Sequence, residues 1–316
     1  MEYLIGTGGW AYFQIPGIQS LEAYSRIYNF VEVNSTFYEI PSIKNVEKWR
    51  NIVPEDFQFA VRANRSITHQ HKLQRIKENL ERIEEMKRIC EILQAEILLL
   101  QTPASLRITQ NLLEDFRELL SSIDLGKVRI ALEIRGTETS DYPRKLLEIM
   151  QDYNIINSVD LLKDEFPAYK SDILYSRLFG KGEKNIYQPT DQELKEIDRR
   201  AKAGKFKKVM LSFHSQRMYK DAGRFKIYKQ TGKFPSITNT IGLSSLREIL
   251  KEGSIFPATK EQLIKQHGWK LFDYTKEKRI RTIEFLQKLP SRKFQNVNQV
   301  IELLRSIPGE NHEITS

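Results

Sequence analysis

Short apolar segments alternate with amphipathic segments along the first 230 or so residues of the chain. Eight of the short segments are rich in β-branched residues and nearly continuous in hydrophobicity, which is typical of strands buried on both faces of a parallel sheet. In most units the next segment repeats apolar residues every three or four positions, which predicts a helix. The eight predicted strands are residues 3–7, 30–34, 57–63, 97–101, 128–134, 155–160, 173–179 and 209–214.

Eight strand–helix units in succession predict a parallel sheet that closes on itself. The sequence therefore indicates an α/β protein of the (β/α)8 TIM-barrel class, for which about 230 residues is an ordinary size. An open, doubly wound sheet is the alternative, and the uninterrupted run of units favours closure. Only the unit after Asp160 is short, because Pro167 interrupts its helical pattern.

The alternation ends near Phe234. Beyond it no strand pattern is evident, and several Ser/Thr/Asn-x-x-Glu/Gln stretches resemble capping boxes that open short helices. A longer helical pattern covers residues 275–289 and ends at Pro290. We predict a barrel over residues 1–233, a small all-helical appendage over residues 234–308, and a disordered polar tail over residues 309–316.

The glycine-rich stretch "IGTGGW" ends the first predicted strand. A dinucleotide-binding fingerprint needs Gly-x-Gly-x-x-Gly that opens directly into a helix. Here aromatic residues follow, and the next helical pattern begins only near Ser20. We therefore interpret the glycines as a strand end whose loop bends over the mouth of the barrel, with Trp10 as a candidate substrate contact.

Composition narrows the class of protein. The chain has one cysteine, Cys90, so no disulfide framework is possible, which fits a reducing cytoplasm. No stretch is long and apolar enough to predict a transmembrane helix, and the N-terminus lacks the features of a signal peptide. We expect a cytoplasmic protein without a membrane partner.

The net charge of +9 is unevenly distributed. Residues 201–316 carry 23 Lys and Arg against 10 Asp and Glu, whereas residues 1–200 carry 27 against 31. Such asymmetry indicates a polyanionic partner, DNA or RNA first, although a solvated lysine-rich surface is an alternative. The candidate nucleic-acid contacts in the basic stretch 205–234 are Lys207, Lys208, Arg217, Lys220 and Arg224.

Six motifs occur in order along the barrel segment: "IGTGGW", "FVEVNSTFYEIPS", "FQFAVRANRSITH", "LLLQTPAS", "IALEIRG" and "LYSRLFG". Together they resemble the YecE-like family, also called domain of unknown function 72. The resemblance implies a TIM barrel and leaves the activity undefined. It also implies that the characteristic polar residues of the family fall on Asn34, Tyr38, Arg62, His69, Gln101, Glu133, Arg135, Asp160 and Arg177.

Two positions depart from that family pattern. The seventh strand commonly ends in Leu-His-Gly, where this chain has Leu178-Phe179-Gly180. The eighth commonly ends in an aromatic residue and Asn, where this chain has Phe213-His214. A role that depends on the usual histidine is therefore not carried over. The C-terminal segment separately resembles a small helical module of unknown function.

Active sites of such barrels lie at the C-terminal ends of the strands. Arginines there form a lining for phosphate or carboxylate groups, and Arg62, Arg135 and Arg177 are the candidates, with Asn34, Tyr38 and Gln101 as further substrate contacts. The candidate catalytic residues are Glu133, Asp160, His69 and His214. Internal Glu–Arg ion pairs that close the top of the barrel, such as Glu133 with Arg135, are the structural alternative.

Metal ligands are few in this sequence. The chain has five histidines, and only three can lie near the barrel mouth, which disfavours a zinc cluster. A single Mg²⁺ or Mn²⁺ held by Glu32, Glu133 or Asp160 stays open. No other cofactor is indicated.

Three functions are compatible with these features. The first is a nucleic-acid-processing hydrolase, a nuclease or a base-removing enzyme, that acts on a phosphate-containing substrate. The second is a barrel enzyme for a small phosphorylated or carboxylated metabolite, and the third is a non-catalytic scaffold. The reaction, the choice between DNA and RNA, and the oligomeric state do not follow from the sequence, because fold does not decide function in barrels.

Overall fold

A computed structural model describes residues 1–163 and 165–307 of the chain. Its main sheet has eight parallel strands, each within a few residues of the predicted position, so the predicted (β/α)8 architecture is confirmed. The strands are β1 (Glu2–Thr7), β2 (Phe30–Val33), β3 (Gln58–Arg62), β4 (Ile97–Gln101), β5 (Arg129–Glu133), β6 (Ile156–Asn157), β7 (Ile173–Leu178) and β8 (Lys208–Phe213).

The sheet closes through one narrow seam. Hydrogen-bonded neighbours run in the order β6-β5-β4-β3-β2-β1-β8-β7. Between β6 and β7 a single parallel bridge joins Val159 and Ser176. There the Val159 N–H donates to the Tyr175 carbonyl at 3.2 Å, and the Arg177 N–H donates to the Val159 carbonyl at 2.9 Å. The seam is the weakest backbone pairing of the barrel because β6 is only two residues long.

Helices follow the strands much as the apolar periodicity predicts. Ser42 caps α2 (Ile43–Ile52). Thr190 with Glu193 forms the predicted capping box at the start of α6 (Asp191–Ala203), with N–H···O distances of 3.2 and 2.8 Å. In the unit after β6, the described residues form a 3₁₀ turn, Leu161–Lys163, in place of a longer helix, as the shortened pattern predicts. The helices are α1 (Ser20–Ser25), α2 (Ile43–Ile52), α3 (Lys77–Leu93), α4 (Gln110–Ser121), α5 (Arg144–Asp152), α6 (Asp191–Ala203) and α7 (Met218–Thr231).

The interior of the barrel holds an apolar layer with a polar layer next to it. Successive side chains of a strand point to opposite faces, so the residue two positions further along also points inward. The apolar layer is Leu4, Phe30, Ala60, Ile97, Leu99, Ala131, Ile156, Ile173, Tyr175 and Met210. Two positions after six of these stand Glu32, Arg62, Gln101, Glu133, Arg177 and Ser212. The strand period thus places six polar residues together at the C-terminal ends.

Contacts divide the described chain into two units. The first holds residues 1–179, 197–214 and 218–223, and the second holds residues 180–196, 215–217 and 224 onward. The second unit has its own apolar core, which includes Leu246, Leu263, Phe272 and Phe294. Its helices are α8 (Gly242–Lys251), α9 (Lys260–His267), α10 (Ile283–Leu286) and α11 (Val297–Ser306).

The sequence predicts an all-helical C-terminal segment, but the structure shows that it also contains strands. Two short antiparallel sheets pair β9 (Ala258–Thr259) with β12 (Lys293–Phe294) and β10 (Leu271–Asp273) with β11 (Arg279–Arg281). Each strand has only two or three residues, too few to show an alternating pattern in the sequence. Residues 275–289 are therefore not one helix, and the tail 309–316 lies outside the described residues.

The boundary suggested after residue 233 also differs from the observed division. Asp191, near the end of the β7–α6 connection, pairs with Arg224 at 2.6 Å and with Arg279 at 2.9 Å. Arg279 in turn contacts Asp273 at 3.0 Å. These largely buried ion pairs hold residues 180–196 within the second unit. Such long-range pairing has no local signal in the sequence.

In the described part of the chain, none of the helices has the length and hydrophobicity needed to cross a membrane.

Candidate functional site

Arg177 is the centre of the polar layer. Its side chain is 2% exposed and lies between Glu32, which is fully buried, and Glu133, which is 13% exposed. The guanidinium donates to both Glu32 oxygens at 2.9 Å, to Glu133 Oε2 at 2.5 Å and to Gln101 Oε1 at 3.2 Å. Tyr175 also donates its hydroxyl to Glu32, at 2.7 Å. The internal Glu–Arg pairs considered as an alternative are therefore present.

These contacts determine the charge of the layer. Burial alone would raise the pKa of Glu32 and of Glu133, but the charge and hydrogen bonds of Arg177 outweigh it and hold both pKa values below the usual range. Burial would lower the pKa of Arg177, yet the two carboxylates raise it overall. All three groups are ionised at neutral pH. Glu133, expected from the sequence to be a general base or metal ligand, is instead committed to holding arginines.

Arg135 extends the network toward solvent. Its Nε donates to Glu133 Oε1 at 2.7 Å, and its side chain is 40% exposed. Glu133 therefore accepts one guanidinium from the buried side and one from the exposed side. Arg135 is fixed by this bond and keeps its remaining N–H groups available at the mouth.

The guanidinium of Arg62 lies over the aromatic ring of Phe37. Its guanidinium carbon stands 3.6 Å from the centroid of the Phe37 ring, a close cation–π contact. It donates to Asn34 Oδ1 at 3.2 Å and to Gln101 Oε1 at 2.5 Å, while its buried Nε has no protein partner. Burial and then the charge of Arg177 lower the pKa of Arg62 to about 10, so it is still protonated at neutral pH. The structure thus brings together three of the predicted substrate contacts, Arg62, Asn34 and Gln101.

His69 lies beside the same ring and among cations. Its ring packs edge-on against Phe37 at 5.0 Å, and its Nδ1 is 2.8 Å from the hydroxyl of Thr68. Partial burial lowers the pKa of His69, and the charges of Arg62, Arg135 and Arg65 lower it further. The imidazole is therefore neutral at physiological pH, and its Nε2 is not engaged by Thr68.

His214 is held below the first loop of the barrel. Its ring stacks on Phe179 with centroids 4.5 Å apart, and its Nε2 is 3.0 Å from Ser212 Oγ and 3.5 Å from Glu32 Oε1. The two departures from the family pattern are thus stacked neighbours. Burial lowers the pKa of His214 despite the opposing charge of Glu32.

The glycines of "IGTGGW" are explained by close approach, as the strand-end interpretation expects. A Cβ at Gly6 would stand 1.9 Å from the Phe30 carbonyl oxygen, and one at Gly8 would stand 2.2 Å from the ring of His214. Gly9 has a φ of +116°, which side chains rarely adopt. The stretch lets the β1 loop pass directly over His214.

Gly8→Ala is expected to displace the His214 ring and to lower the free energy of unfolding by about 1–3 kcal/mol, the usual cost of overpacking. Chemical denaturation measures the loss. Gly223→Ala is the matched control, because a Cβ there meets only the Tyr28 hydroxyl at 3.4 Å. Gly8→Ala with His214→Ala should recover stability; a double variant no more stable than Gly8→Ala would contradict the proposed clash.

Asp160 forms hydrogen bonds on both sides of the point where the sheet closes between β6 and β7. One carboxylate oxygen accepts the N–H of Phe179 at 3.1 Å, just after β7, and the other accepts the N–H of Leu162 at 3.0 Å. Burial raises the pKa of Asp160 to about 6, even though these N–H groups oppose it. Of the three carboxyl groups Glu32, Glu133 and Asp160, Asp160 is thus the one that takes up a proton near neutral pH.

The raised pKa of Asp160 predicts a pH dependence of stability. Because the folded state holds this proton more tightly than the unfolded state, stability from this group is full below the ordinary pKa of 3.8 and is lost as pH rises through about 6. Between pH 4 and 7 the free energy of unfolding of the native protein should fall relative to Asp160→Asn by about 3 kcal/mol. Denaturant titrations across this range measure it, and parallel curves would contradict the assignment.

Trp10 and Tyr38 differ in their surroundings. Trp10 packs edge-on against Trp49 with centroids 5.3 Å apart, so part of its ring serves to fix the β1 loop. Tyr38 is 67% exposed and contacts the edge of Phe37. Tyr38 is the better placed of the two to meet a ligand.

The candidate nucleic-acid residues differ in their positions and partners. Lys207 and Lys208 precede the body of β8 and lie at its N-terminal end, opposite the mouth, because a six-residue strand spans roughly 20 Å. Lys208 also pairs with Glu96 there. Arg224 is 5% exposed and bonded to Asp191, and Arg217 contacts Glu252 at 3.3 Å. The expectation of a basic rim beside the mouth is therefore wrong for Lys207 and Lys208. Contact with nucleic acid by Arg217, Arg224 and Lys220, which is exposed on α7, stays a prediction.

The candidate metal ligands do not fit a metal ion. Among the residues that the structure describes, no three His, Cys, Asp or Glu side chains are grouped as a metal site. Both oxygens of Glu32 are bonded to Arg177, both of Glu133 to arginines, and both of Asp160 to backbone N–H groups. A divalent cation would compete with these donors, so we derive no step through one.

Sequence reasoning missed Tyr175, Ser212 and Phe37. Tyr175 and Ser212 share the inward period of β7 and β8 with Arg177 and Met210, and this alternation was the available signal. Phe37 lies in a 3₁₀ turn, Ser35–Phe37, where neither the strand nor the helix period applies. Its place beneath Arg62 therefore had no signal in the sequence.

Comparison with known proteins agrees with this architecture. The family model described as protein of unknown function DUF72 matches residues 4–227. The UPF0759 protein YecE of Escherichia coli is 35% identical over 94 residues, which is 30% of this chain and 29% of that protein. The matched stretch is thus less than a third of that relative.

Two solved structures share the barrel. A DUF72 family protein from Thermotoga maritima has a TM-score of 0.58 and 21% identity, with 73% of this chain and all of that chain covered. One from Enterococcus faecalis has a TM-score of 0.56 and 18% identity, with 73% and 97% covered. At these identities the likeness concerns the fold alone.

Proposed function

The chain belongs to the DUF72 family of proteins of unknown function, and from that premise we propose that its barrel mouth binds a small phosphate- or carboxylate-bearing substrate and exchanges a proton with it through His69. The observation that carries this proposal is that His69 packs against the same Phe37 ring that supports the guanidinium of Arg62. The charges of Arg62, Arg135 and Arg65 then help to lower the pKa of the imidazole. Guanidinium groups bind phosphate and carboxylate in bidentate fashion.

The layer below would keep these arginines in place before a ligand arrives. Arg177 and Glu133 hold Arg135 from beneath, while Phe37 and Gln101 hold Arg62. A preorganised site does not lose binding energy to ordering its own side chains. Arg177 and Arg135 together balance the two negative charges of Glu32 and Glu133. Arg62 is the remaining charge of this network, so the mouth faces the ligand with a net positive charge.

His69 would act as the proton acceptor. Its lowered pKa keeps the imidazole unprotonated at neutral pH, and the hydroxyl of Thr68 fixes Nδ1 and leaves Nε2 for the substrate. Protonation of His69 next to three arginines is unfavourable without a bound anion, and a bound anion would relieve that repulsion. The proton transfer is thereby linked to occupancy of the site.

A panel of inorganic phosphate, a pentose phosphate, a dicarboxylate and a neutral pentose would test the proposal by ligand-induced melting shifts. The anions should raise the melting temperature and the neutral sugar should not. Shifts of equal size for the neutral sugar, or none for any anion, would contradict it.

His69→Gln should separate binding from proton transfer. The melting shift should be retained, because the arginines remain, whereas turnover of any anion that proves to be a substrate should fall by about 10²–10⁴-fold, the usual contribution of general acid–base catalysis. The native activity should rise with pH through the lowered pKa of His69, and a pH profile measures it. An unchanged rate in the variant would remove His69 from this role.

Nucleic-acid processing by a nuclease or a base-removing hydrolase is our second proposal for the mouth. The rings of Tyr12 and Tyr38, 84% and 67% exposed, lie in the loops after β1 and β2. Exposed rings stack on unpaired bases. Adding single- and double-stranded oligonucleotides to the panel tests it; this proposal expects strand cleavage or base release that is lost with His69→Gln.

A further inference from the structure

The C-terminal segment carries an excess of positive charge to which the proposed function gives no role. Residues 234–307 contain 13 Lys and Arg against 7 Asp and Glu. Some of these cations form ion pairs, as Arg279 does with Asp191. Four cations gather at the β9–β12 sheet and the turn before β12, and we call them the basic patch: Lys260, Lys288, Arg292 and Lys293.

Strand pairing and one hydrogen bond bring the four together. Lys293 stands opposite Thr259 in the β9–β12 register, and Lys260 is the next residue after Thr259. The ammonium of Lys260 donates to the carbonyl of Gln287 at 2.6 Å, which places it next to Lys288. A turn closed by the Arg292 N–H and the Pro290 carbonyl at 2.9 Å then leads back into β12.

Two of the cations are seated on buried rings. The ammonium of Lys288 lies 4.5 Å from the centroid of Phe285, and the guanidinium of Arg292 lies 5.3 Å from that of Phe294. Both rings belong to the core of the second unit, with exposures of 4% and 0%. The aliphatic stems of Lys288 and Arg292 therefore lie on the surface of the core, while both residues are exposed to solvent. Because the rings already restrict these side chains, they lose less conformational entropy when a ligand binds.

Two carboxylates lie near the patch along the chain, Glu261 next to Lys260 and Glu284 four residues before Lys288. Glu284 accepts the backbone N–H of Arg281 at 3.2 Å, and Glu261 interacts with the side chain of Thr259 and with the charge of Lys260. Both lie in the first turn of a short helix. Four cations against these two carboxylates leave a net charge of +2 at this surface.

We propose that the basic patch is a docking surface for the phosphate backbone of a nucleic acid. Exposed Ser291, Gln295 and Asn298 flank the cations and supply the neutral donors that usually accompany Lys and Arg at phosphates. Leu286, Leu289 and Phe294 are buried, and the exposed large apolar residue near this sheet is Ile255, three residues before β9. One apolar side chain is far less than the apolar face with which an amphipathic helix enters a bilayer. These features favour nucleic acid over an anionic membrane, and they are independent of the mouth.

The test uses the full chain and the triple variant Lys288→Gln, Arg292→Gln and Lys293→Gln, which keeps most of each stem. Binding of short labelled DNA and RNA strands is followed by fluorescence anisotropy between about 50 and 200 mM salt. Loss of three phosphate contacts should reduce the slope of log K against log salt by about 2–3. Affinity at the lowest salt should fall at least 10-fold.

The matched control is Lys127→Gln, Lys205→Gln and Lys207→Gln, three exposed lysines that precede β5 and β8. The control should bind as the native protein does. Equal loss in both triple variants, no binding at low salt, or binding to phosphatidylserine vesicles without binding to nucleic acid would overturn the proposal. The phosphate-induced melting shift should persist in the patch variant, so failure here is distinguishable from failure of the mouth proposal.

Discussion

Arg177→Met is expected to lower the free energy of unfolding by about 3–5 kcal/mol, which is the usual cost of removing one partner from a buried ion pair. The variant leaves the carboxylate of Glu32 fully buried with only Tyr175 and the edge of His214 as partners. Glu133 keeps Arg135, so most of the cost arises at Glu32. Denaturant unfolding measures the loss.

Arg117→Met is the matched control for Arg177→Met. Arg117 pairs with Asp152 at 2.8 Å, but both side chains are about half exposed, and surface pairs contribute less than about 1 kcal/mol. Glu32→Gln combined with Arg177→Met should regain more than half of the lost stability, because it removes the uncompensated charge. If the double variant is less stable than Arg177→Met, the charge explanation is wrong. Should Arg177→Met not fold, the double variant still decides the question.

Loss of both arginines at the mouth, Arg62 and Arg135, is the second large effect that we expect. Each charged hydrogen-bond partner contributes about 1.5–3 kcal/mol, so Arg62→Met with Arg135→Met should weaken phosphate binding by about 10²–10⁴-fold. Methionine preserves the apolar contact of residue 62 with Phe37. Calorimetric titration with inorganic phosphate measures the change in affinity.

Two single variants make this experiment decisive. Arg144→Met removes an arginine whose side chain is 93% exposed on α5 and should leave phosphate binding unchanged. Arg135→Met alone should weaken binding at least 10-fold while the melting temperature stays near that of the native protein, because Glu133 retains Arg177. Phosphate affinity equal to native in the double variant would exclude the mouth as the anion site.

The nucleic-acid assignment shows how position in a fold changes the meaning of charge. The basic stretch 205–234 is continuous in the sequence, but β8 runs through it and carries Lys207 and Lys208 to the far end of the barrel. Arg224 faces inward on α7, where Asp191 binds it. Charge counts register the excess correctly, whereas they contain no information about which side of a strand or helix receives it.

The sequence by itself determined the barrel and the identity of the residues at its mouth. Eight nearly continuous apolar segments specify strands buried on both faces, and the twofold period of each strand then places Glu32, Arg62, Gln101, Glu133 and Arg177 on the inside at the same end. These are local properties, so they are legible without coordinates. The family resemblance selects the same positions.

Only the tertiary structure decided what those side chains do to one another. That Arg177 is shared between two carboxylates, that Phe37 supports Arg62, and that Gly8 makes room for His214 are contacts between residues 25 to more than 200 positions apart. The second unit likewise depends on Asp191 meeting Arg279. Pairing at such separations depends on how strands are arranged around the ring, and the periodicity of a single segment carries no record of its distant partners.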